Sequence, residues 1–126
     1  MEITKKEALK TIKDFIWNTH DGERLRFDEI TTRHAAYILR LLWDAVRRQF
    51  PELMDCGQPT SVPRLKISKN RAEIRAYLFL CCAFHSKLAN ADDLYGQPLE
   101  IYNDVTEAML AALGRNKIEE FKNLIN

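Results

Sequence analysis

The spacing of hydrophobic residues along the chain predicts five helices. Apolar positions recur every three or four residues, which is the period of a helix with one buried face. They do so in five segments: 5–18, 32–50, 71–88, 98–113 and 116–125. Gly and Pro, which mark turns, number only four each in 126 residues. We therefore expect an all-α fold, a compact bundle of about five helices in a single domain covering residues 1–126.

Capping signals mark several of the predicted helix ends. Thr4–Glu7 and Asn116–Glu119 have the pattern of a capping box, in which two side chains take up unpaired backbone N–H groups. Thr31 or Thr32 suits the N-cap of the second helix, and Pro98 suits the first position of the fourth.

The third predicted helix, 71–88, is apolar on every side between Ala76 and Phe84. A helix that is apolar all round is buried all round, so we expect it to be central, with the others packed over it. The predicted core takes its residues from all the longer helices: Leu9, Ile12, Ile16, Ile38, Leu42, Val46, Leu78, Leu80, Phe84, Val105, Met109 and Leu113.

Two short segments, 24–27 and 64–67, alternate basic and apolar residues as strands do. This pattern favours a minor two-stranded β-pair of 24–27 with 64–67. The second segment ends an irregular stretch, 51–67, which holds three of the four prolines. Irregular connections of this length are uncommon in small domains and are often functional.

Composition indicates an ordinary globular protein of a reducing compartment. Apolar residues make up 46% and charged residues 29%, and the net charge of +1 gives no general attraction to nucleic acid or anionic lipid. Cys56, Cys81 and Cys82 are odd in number, and two are adjacent in an apolar run, as buried thiols are. No apolar leader and no run of about twenty apolar residues is present. We expect a cytoplasmic protein that does not cross or bind a membrane.

No pattern typical of catalysis or metal binding occurs in the sequence. Cys81, Cys82 and His85 are the strongest metal candidate, but only Cys56 and two distant histidines could complete a zinc site. No Gly-rich phosphate loop or nucleophile elbow is present. We therefore predict a protein that is not an enzyme, with no catalytic residues, no metal and no cofactor. An enzyme of unfamiliar design stays an alternative, because catalytic geometry is spatial.

Charge is unevenly distributed, and an acidic region is the predicted partner-binding site. Residues 1–75 carry fifteen Lys or Arg against eleven Asp or Glu, whereas residues 76–126 carry four against seven. An exposed aromatic among carboxylates is typical of an interface that attracts a basic partner. We name this set the acidic face: Asp92, Asp93, Tyr95, Glu100, Asp104 and Glu107. The alternative is a polar surface loop with Tyr95 folded back onto the core.

A second charged set, which we name the Arg face, lies on the predicted second helix. Its members are Arg33, Arg40, Arg47 and Arg48. The first three recur every seven residues, so they line one side of the helix and suit a phosphate backbone. Asp44 lies within three or four residues of three of them and would partly neutralise the set. A solvated helix face is the alternative.

These patterns predict a non-catalytic protein-binding protein. The leading hypothesis is an inhibitor or immunity-type protein that neutralises one protein partner, such as a basic toxin nuclease whose cleft accepts carboxylates in place of phosphates. The alternative is a nucleic-acid-associated regulator, or a phage anti-defence protein, that uses the Arg face. Bacterial immunity proteins, phage anti-defence proteins and small adaptors share this compact, site-poor type, but no family signature motif is present.

Overall fold

The computed structural model describes residues 4–49 and 71–124. Within these ranges the chain forms α1 (Lys5–Asp14), β1 (Ile16–Asn18), β2 (Arg24–Arg26), α2 (Thr32–Gln49), α3 (Arg71–Ala89), α4 (Gly96–Leu113) and α5 (Arg115–Asn123), with a 3-10 turn at Phe27–Glu29. The predicted all-α bundle with a minor β-pair is therefore confirmed. Segment 51–67, including Cys56, lies outside the described residues.

The first helix is shorter than predicted. Thr4 caps the helix, since Glu7 N donates to Thr4 Oγ1 at 3.1 Å, and the Glu7 carboxylate accepts from the Thr4 hydroxyl at 3.2 Å. The helix ends at Asp14, and Phe15 adopts extended backbone angles. Residues 15–18 were wrongly predicted as helix. Ile16 and Trp17 are β-branched and aromatic, and such side chains fit a pleated, half-buried surface.

These residues instead form one strand of a tight hairpin. Ile16–Asn18 pairs antiparallel with Arg24–Arg26, so β2 has a different partner from the predicted one. The segment predicted as that partner, 64–67, lies outside the described residues. The turn closes through hydrogen bonds between Thr19 and Glu23, and Gly22 adopts a φ of +87°, which glycine accepts without strain.

The core is built around α3, as predicted. This helix contacts each of the other four, and its residues 78–85 are buried. Phe84 lies at the centre, where its ring meets Phe15 and Phe27 edge-on at centroid distances of 5.3 and 4.9 Å. The second helix contributes Trp43 and the apolar residues around it. Phe15, just before β1, and Phe27, in the 3-10 turn, thus cover one side of α3 with aromatic rings.

Eight of the twelve predicted core residues are buried: Ile38, Leu42, Val46, Leu78, Leu80, Phe84, Val105 and Met109. Ile12, Ile16 and Leu113 are half-buried. Leu9 was wrongly placed in the core, because 47% of its surface is exposed and Ala8 is the buried residue of α1.

The ends of α2, α4 and α5 follow from local chemistry. Thr31 caps α2, with His34 N donating to its Oγ1 at 3.3 Å. Pro98 occupies the third position of α4 rather than the predicted first. The first four N–H groups of a helix have no partner within the helix, so the missing N–H of proline costs no hydrogen bond at either position. Gly114, with a φ of +82°, ends α4 and begins α5. The predicted capping box at Asn116 is therefore wrong, since Asn116 lies inside the helix.

Candidate functional site

The acidic face lies along the outer surface of α4 and the loop before it. Asp92, Asp93, Glu100, Asp104 and Glu107 are all exposed. Tyr95 immediately precedes α4, and 74% of its surface is exposed. The alternative in which its ring folds back onto the core therefore does not hold. Glu100, Asp104 and Glu107 share one side of α4, and Asp92, Asp93 and Tyr95 lie in the loop that leads into this helix.

Two long-range hydrogen bonds fasten this loop and the first turn of α4 to α2. Thr32 donates its hydroxyl to Asp93 Oδ1 at 2.6 Å, and the Tyr37 hydroxyl donates to Gln97 Oε1 at 2.9 Å. One bond lies on each side of Tyr95 in the sequence. Asp93 therefore has a structural role in addition to its charge, whereas Asp92 projects from the same loop.

Two exposed leucines flank the carboxylates of α4. Leu99 is 37% and Leu110 is 39% exposed. The buried stripe of α4 runs through Ile101, Val105 and Met109. Leu99 comes two positions before Ile101, and because each residue of a helix turns by 100°, Leu99 lies on nearly the opposite side. Exposed apolar side chains next to charged ones are typical of protein-binding surfaces.

The Arg face is less available than the sequence predicts. Arg33 is exposed, whereas Arg40, Arg47 and Arg48 are half-buried. Arg47 Nη1 lies 3.8 Å from Asp44 Oδ1, and Asp44 is buried. The expected neutralisation by Asp44 is thus present, and the four arginines do not form an open cationic row.

The two charged faces meet at a crevice of about 130 Å³ between α2 and α4. Arg40 and Arg47 of the Arg face line it together with Asp104 of the acidic face, with Trp43 and Asp44 beside them. The remaining walls are the apolar side chains of Ile101, Val105 and Ala108. Sequence reasoning missed this crevice, because no local pattern shows that α2 and α4 pack together here.

Cys81, Cys82 and His85, the strongest metal candidate in the sequence, are buried in the core. Burial raises the pKa of the Cys81 thiol well above its usual value and that of Cys82 to about 12, so both stay protonated. Burial, together with the nearby charge of Lys122, lowers the pKa of His85 to about 4. Within residues 4–49 and 71–124, no group of three or more His, Cys, Asp or Glu side chains has metal-binding geometry.

A larger groove, of about 990 Å³, lies between α1, β1, α2 and α3. Its lining is mainly apolar and aromatic, with Trp17, Tyr37 and Tyr77 among the rings and His20 and His34 among the polar groups. Lys10 and Asp14 place one positive and one negative charge in the groove, so its charge favours neither an anionic nor a cationic ligand. The acidic face has a clear charge preference and is therefore the stronger candidate.

Comparison with family models, with curated proteins and with solved structures finds no match to this chain. None of the described helices has the length and hydropathy needed to cross a bilayer.

Proposed function

We propose that this protein is a non-catalytic binding protein that docks its acidic face onto one basic partner protein. The observation that carries the proposal is Tyr95, a large ring that is 74% exposed at the start of α4. Tyrosine is common at binding hot spots because its ring buries apolar area while its hydroxyl finds a polar partner. Leu99 and Leu110 add apolar area on the same helix.

The carboxylates around these side chains favour a basic partner. Glu100, Asp104 and Glu107 follow each other at spacings of four and three residues, so a single rigid helix carries all three. The rise from the first to the last is about 10 Å. Such a row of fixed negative charges increases the rate at which a positively charged surface finds it.

We further propose that the protein is an inhibitor of the immunity type and that its partner is a toxin nuclease. A nuclease cleft is positively charged because it binds the phosphate backbone. A rigid row of carboxylates presents similar charge without a bond that the nuclease can cut. Inhibition then needs only occupancy of the cleft, and no residue of the inhibitor has to react.

A charge-reversal variant tests whether the acidic face is the interface. Glu100→Lys/Glu107→Lys reverses two exposed charges on α4, and Glu23→Lys/Glu119→Lys makes the same change elsewhere as the matched control. Asp93 is left intact because its bond to Thr32 holds the loop. Each tagged protein is used to capture partners from native lysate, followed by mass spectrometry. We expect one basic protein with wild type and control that is absent with Glu100→Lys/Glu107→Lys.

Association and dissociation rates measured with the purified partner distinguish the role of the carboxylates from that of Tyr95. The charge reversal should slow association by about tenfold or more and remove most of its salt dependence. Tyr95→Ala should instead speed dissociation by about 30-fold, which corresponds to roughly 2 kcal/mol. Unchanged rates in both variants would show that another surface makes the complex. If the partner is a nuclease, the same variants should lose inhibition in parallel.

The alternative is nucleic-acid binding through the Arg face. It predicts retention on heparin at low salt that Arg33→Gln/Arg40→Gln abolishes and Glu100→Lys/Glu107→Lys leaves intact. We expect no such retention, because Asp44 engages Arg47 and Asp104 shares the crevice with Arg40.

A further inference from the structure

The described parts of the chain expose four large apolar side chains, and these lie on two surfaces of opposite charge. Tyr95 belongs to the acidic face, and Leu99 and Leu110 flank its carboxylates on α4. The fourth side chain is Leu9, which is 47% exposed in the middle of α1. Exposed apolar groups beside charged ones are typical of binding surfaces, so α1 carries a second candidate surface.

Lysines surround Leu9 on α1. Side chains at positions i, i+3, i+4 and i+7 share one side of a helix, and on α1 the members of such a set are all exposed. We name this set the basic face: Lys6, Leu9, Lys10 and Lys13. The two carboxylates of α1, Glu7 and Asp14, lie about 160° and about 140° around the helix from Leu9. The three lysines form no ion pair with any described residue, so their charge is available to a partner.

The basic face and the acidic face match in charge and in spacing. Lys6 and Lys13 are seven residues apart on α1. Glu100 and Glu107 have the same spacing on α4, so each pair spans about 10 Å along its helix. Among the described residues, the carboxylates of Glu100, Asp104 and Glu107 also form no ion pair. Two helices laid side by side therefore bring both lysines within reach of carboxylates and cover the exposed leucines between them.

We propose that the basic face of one copy of this chain docks on the acidic face of a second copy. The contact joins two different surfaces, so each copy offers one of each, and association continues beyond two copies unless it closes into a ring. Exposed ion pairs contribute little individually and are screened by salt. We therefore expect a weak, salt-sensitive contact with a dissociation constant of about 0.1–1 mM at low salt.

This contact regulates the acidic face, a consequence that rests on the proposed function. A second copy covers the same carboxylates that attract the basic partner, so the two compete. At high protein concentration the copies shield these charges from weakly attracted basic proteins. A partner that binds more tightly than the second copy displaces it.

Sedimentation equilibrium of the full chain, from about 10 µM to about 1 mM, tests the contact without any partner. At about 20 mM NaCl the average mass should rise with protein concentration, and at about 300 mM NaCl it should return to that of the monomer. Lys6→Glu/Lys13→Glu and Glu100→Lys/Glu107→Lys should each abolish the rise. The matched controls make the same charge changes at exposed positions elsewhere and should keep it: Arg24→Glu/Arg115→Glu and Glu23→Lys/Glu119→Lys.

A charge swap within one chain separates the specific contact from an effect of net charge. Lys6→Glu/Lys13→Glu/Glu100→Lys/Glu107→Lys leaves the net charge at +1 and should restore association to within about threefold of wild type. Leu9→Ser changes no charge and should weaken association at least about threefold.

Three results would overturn the proposal: a monomer at every concentration, association that persists at high salt or in either reversal, or a swapped chain that stays monomeric. Lys6→Glu/Lys13→Glu should still capture the basic partner from lysate, because its acidic face is intact. Failure of self-association and failure of the proposed function therefore give different results.

Discussion

Acidification should destabilise the fold through His85. The ring Nε2 lies 2.8 Å from Thr106 Oγ1, and the Thr106 hydroxyl donates its proton to the backbone oxygen of Tyr102 at 2.6 Å. Thr106 Oγ1 must therefore accept from His85, which places the single ring proton on Nε2. The other nitrogen, Nδ1, is buried and has no partner. Protonating Nδ1 would bury a charge without an acceptor, next to Lys122.

The size of the effect follows from the pKa of His85. Burial lowers this pKa from 6.5 to about 4. Between pH 6.5 and pH 4, His85 is therefore protonated in the unfolded chain but stays neutral in the folded protein. Stability from this group is complete above about pH 6.5 and decreases as the pH falls to about 4. The full drop corresponds to at most roughly 3 kcal/mol. Solvent near the half-buried Tyr102 and Thr106 screens the charge and reduces the effect to about 2 kcal/mol.

Urea unfolding of wild type and His85→Gln between pH 7 and pH 4 measures this contribution. Gln keeps a donor for Thr106 but does not titrate. The wild-type advantage in free energy of unfolding should therefore shrink by about 2 kcal/mol from pH 7 to pH 4. His20→Gln, at an exposed position, is the matched control. A wild-type advantage that stays constant with pH would refute the buried, neutral state of His85.

Two further predictions concern the fold. Phe84→Ala should lower the free energy of unfolding by about 3–5 kcal/mol, because it removes a fully buried ring that touches Phe15 and Phe27. Leu9→Ala should change it by about 0.5 kcal/mol or less, because Leu9 is largely exposed. Similar losses for the two variants in urea unfolding would contradict this assignment of the core. Gly114→Ala should cost about 1–2 kcal/mol in thermal unfolding, because the φ of +82° strains any residue with a Cβ although nothing lies within 4 Å of that position. No loss would mean that the turn between α4 and α5 relaxes.

Much of the helical framework could be predicted from sequence because the signals are local. A cap such as Thr4 or Thr31 acts on backbone groups within one turn, and the apolar period of α2 and α3 spans many residues. The error at residues 15–18 has a different origin. Phe15 and Ile16 continue the apolar spacing of α1, and only pairing with Arg24–Arg26, which is distant in sequence, makes a strand the better structure.

The candidate site also combines features that local sequence predicts with features that depend on packing between helices. The exposure of its carboxylates was predictable, since charged side chains are rarely buried without partners. The exposure of Leu99 was not, because two apolar stripes compete on α4 and packing against α2 decides which is buried. The crevice at Trp43 also depends on that packing. Asp44 is buried beside Arg47 for the same reason, so an i, i+3 charge pair that looks like surface chemistry became part of the helix interface.

The attachment of the acidic loop to α2 favours the acidic face as the proposed binding surface. Binding usually costs free energy because loops and side chains lose freedom when they are fixed in the complex. Here the bonds from Thr32 to Asp93 and from Tyr37 to Gln97 hold the chain on both sides of Tyr95 before any partner arrives. The carboxylates that follow stand on a helix, whose backbone is already rigid. The backbone that carries the ring and the charges is therefore held in place, and binding of the proposed partner would lose less free energy in ordering it.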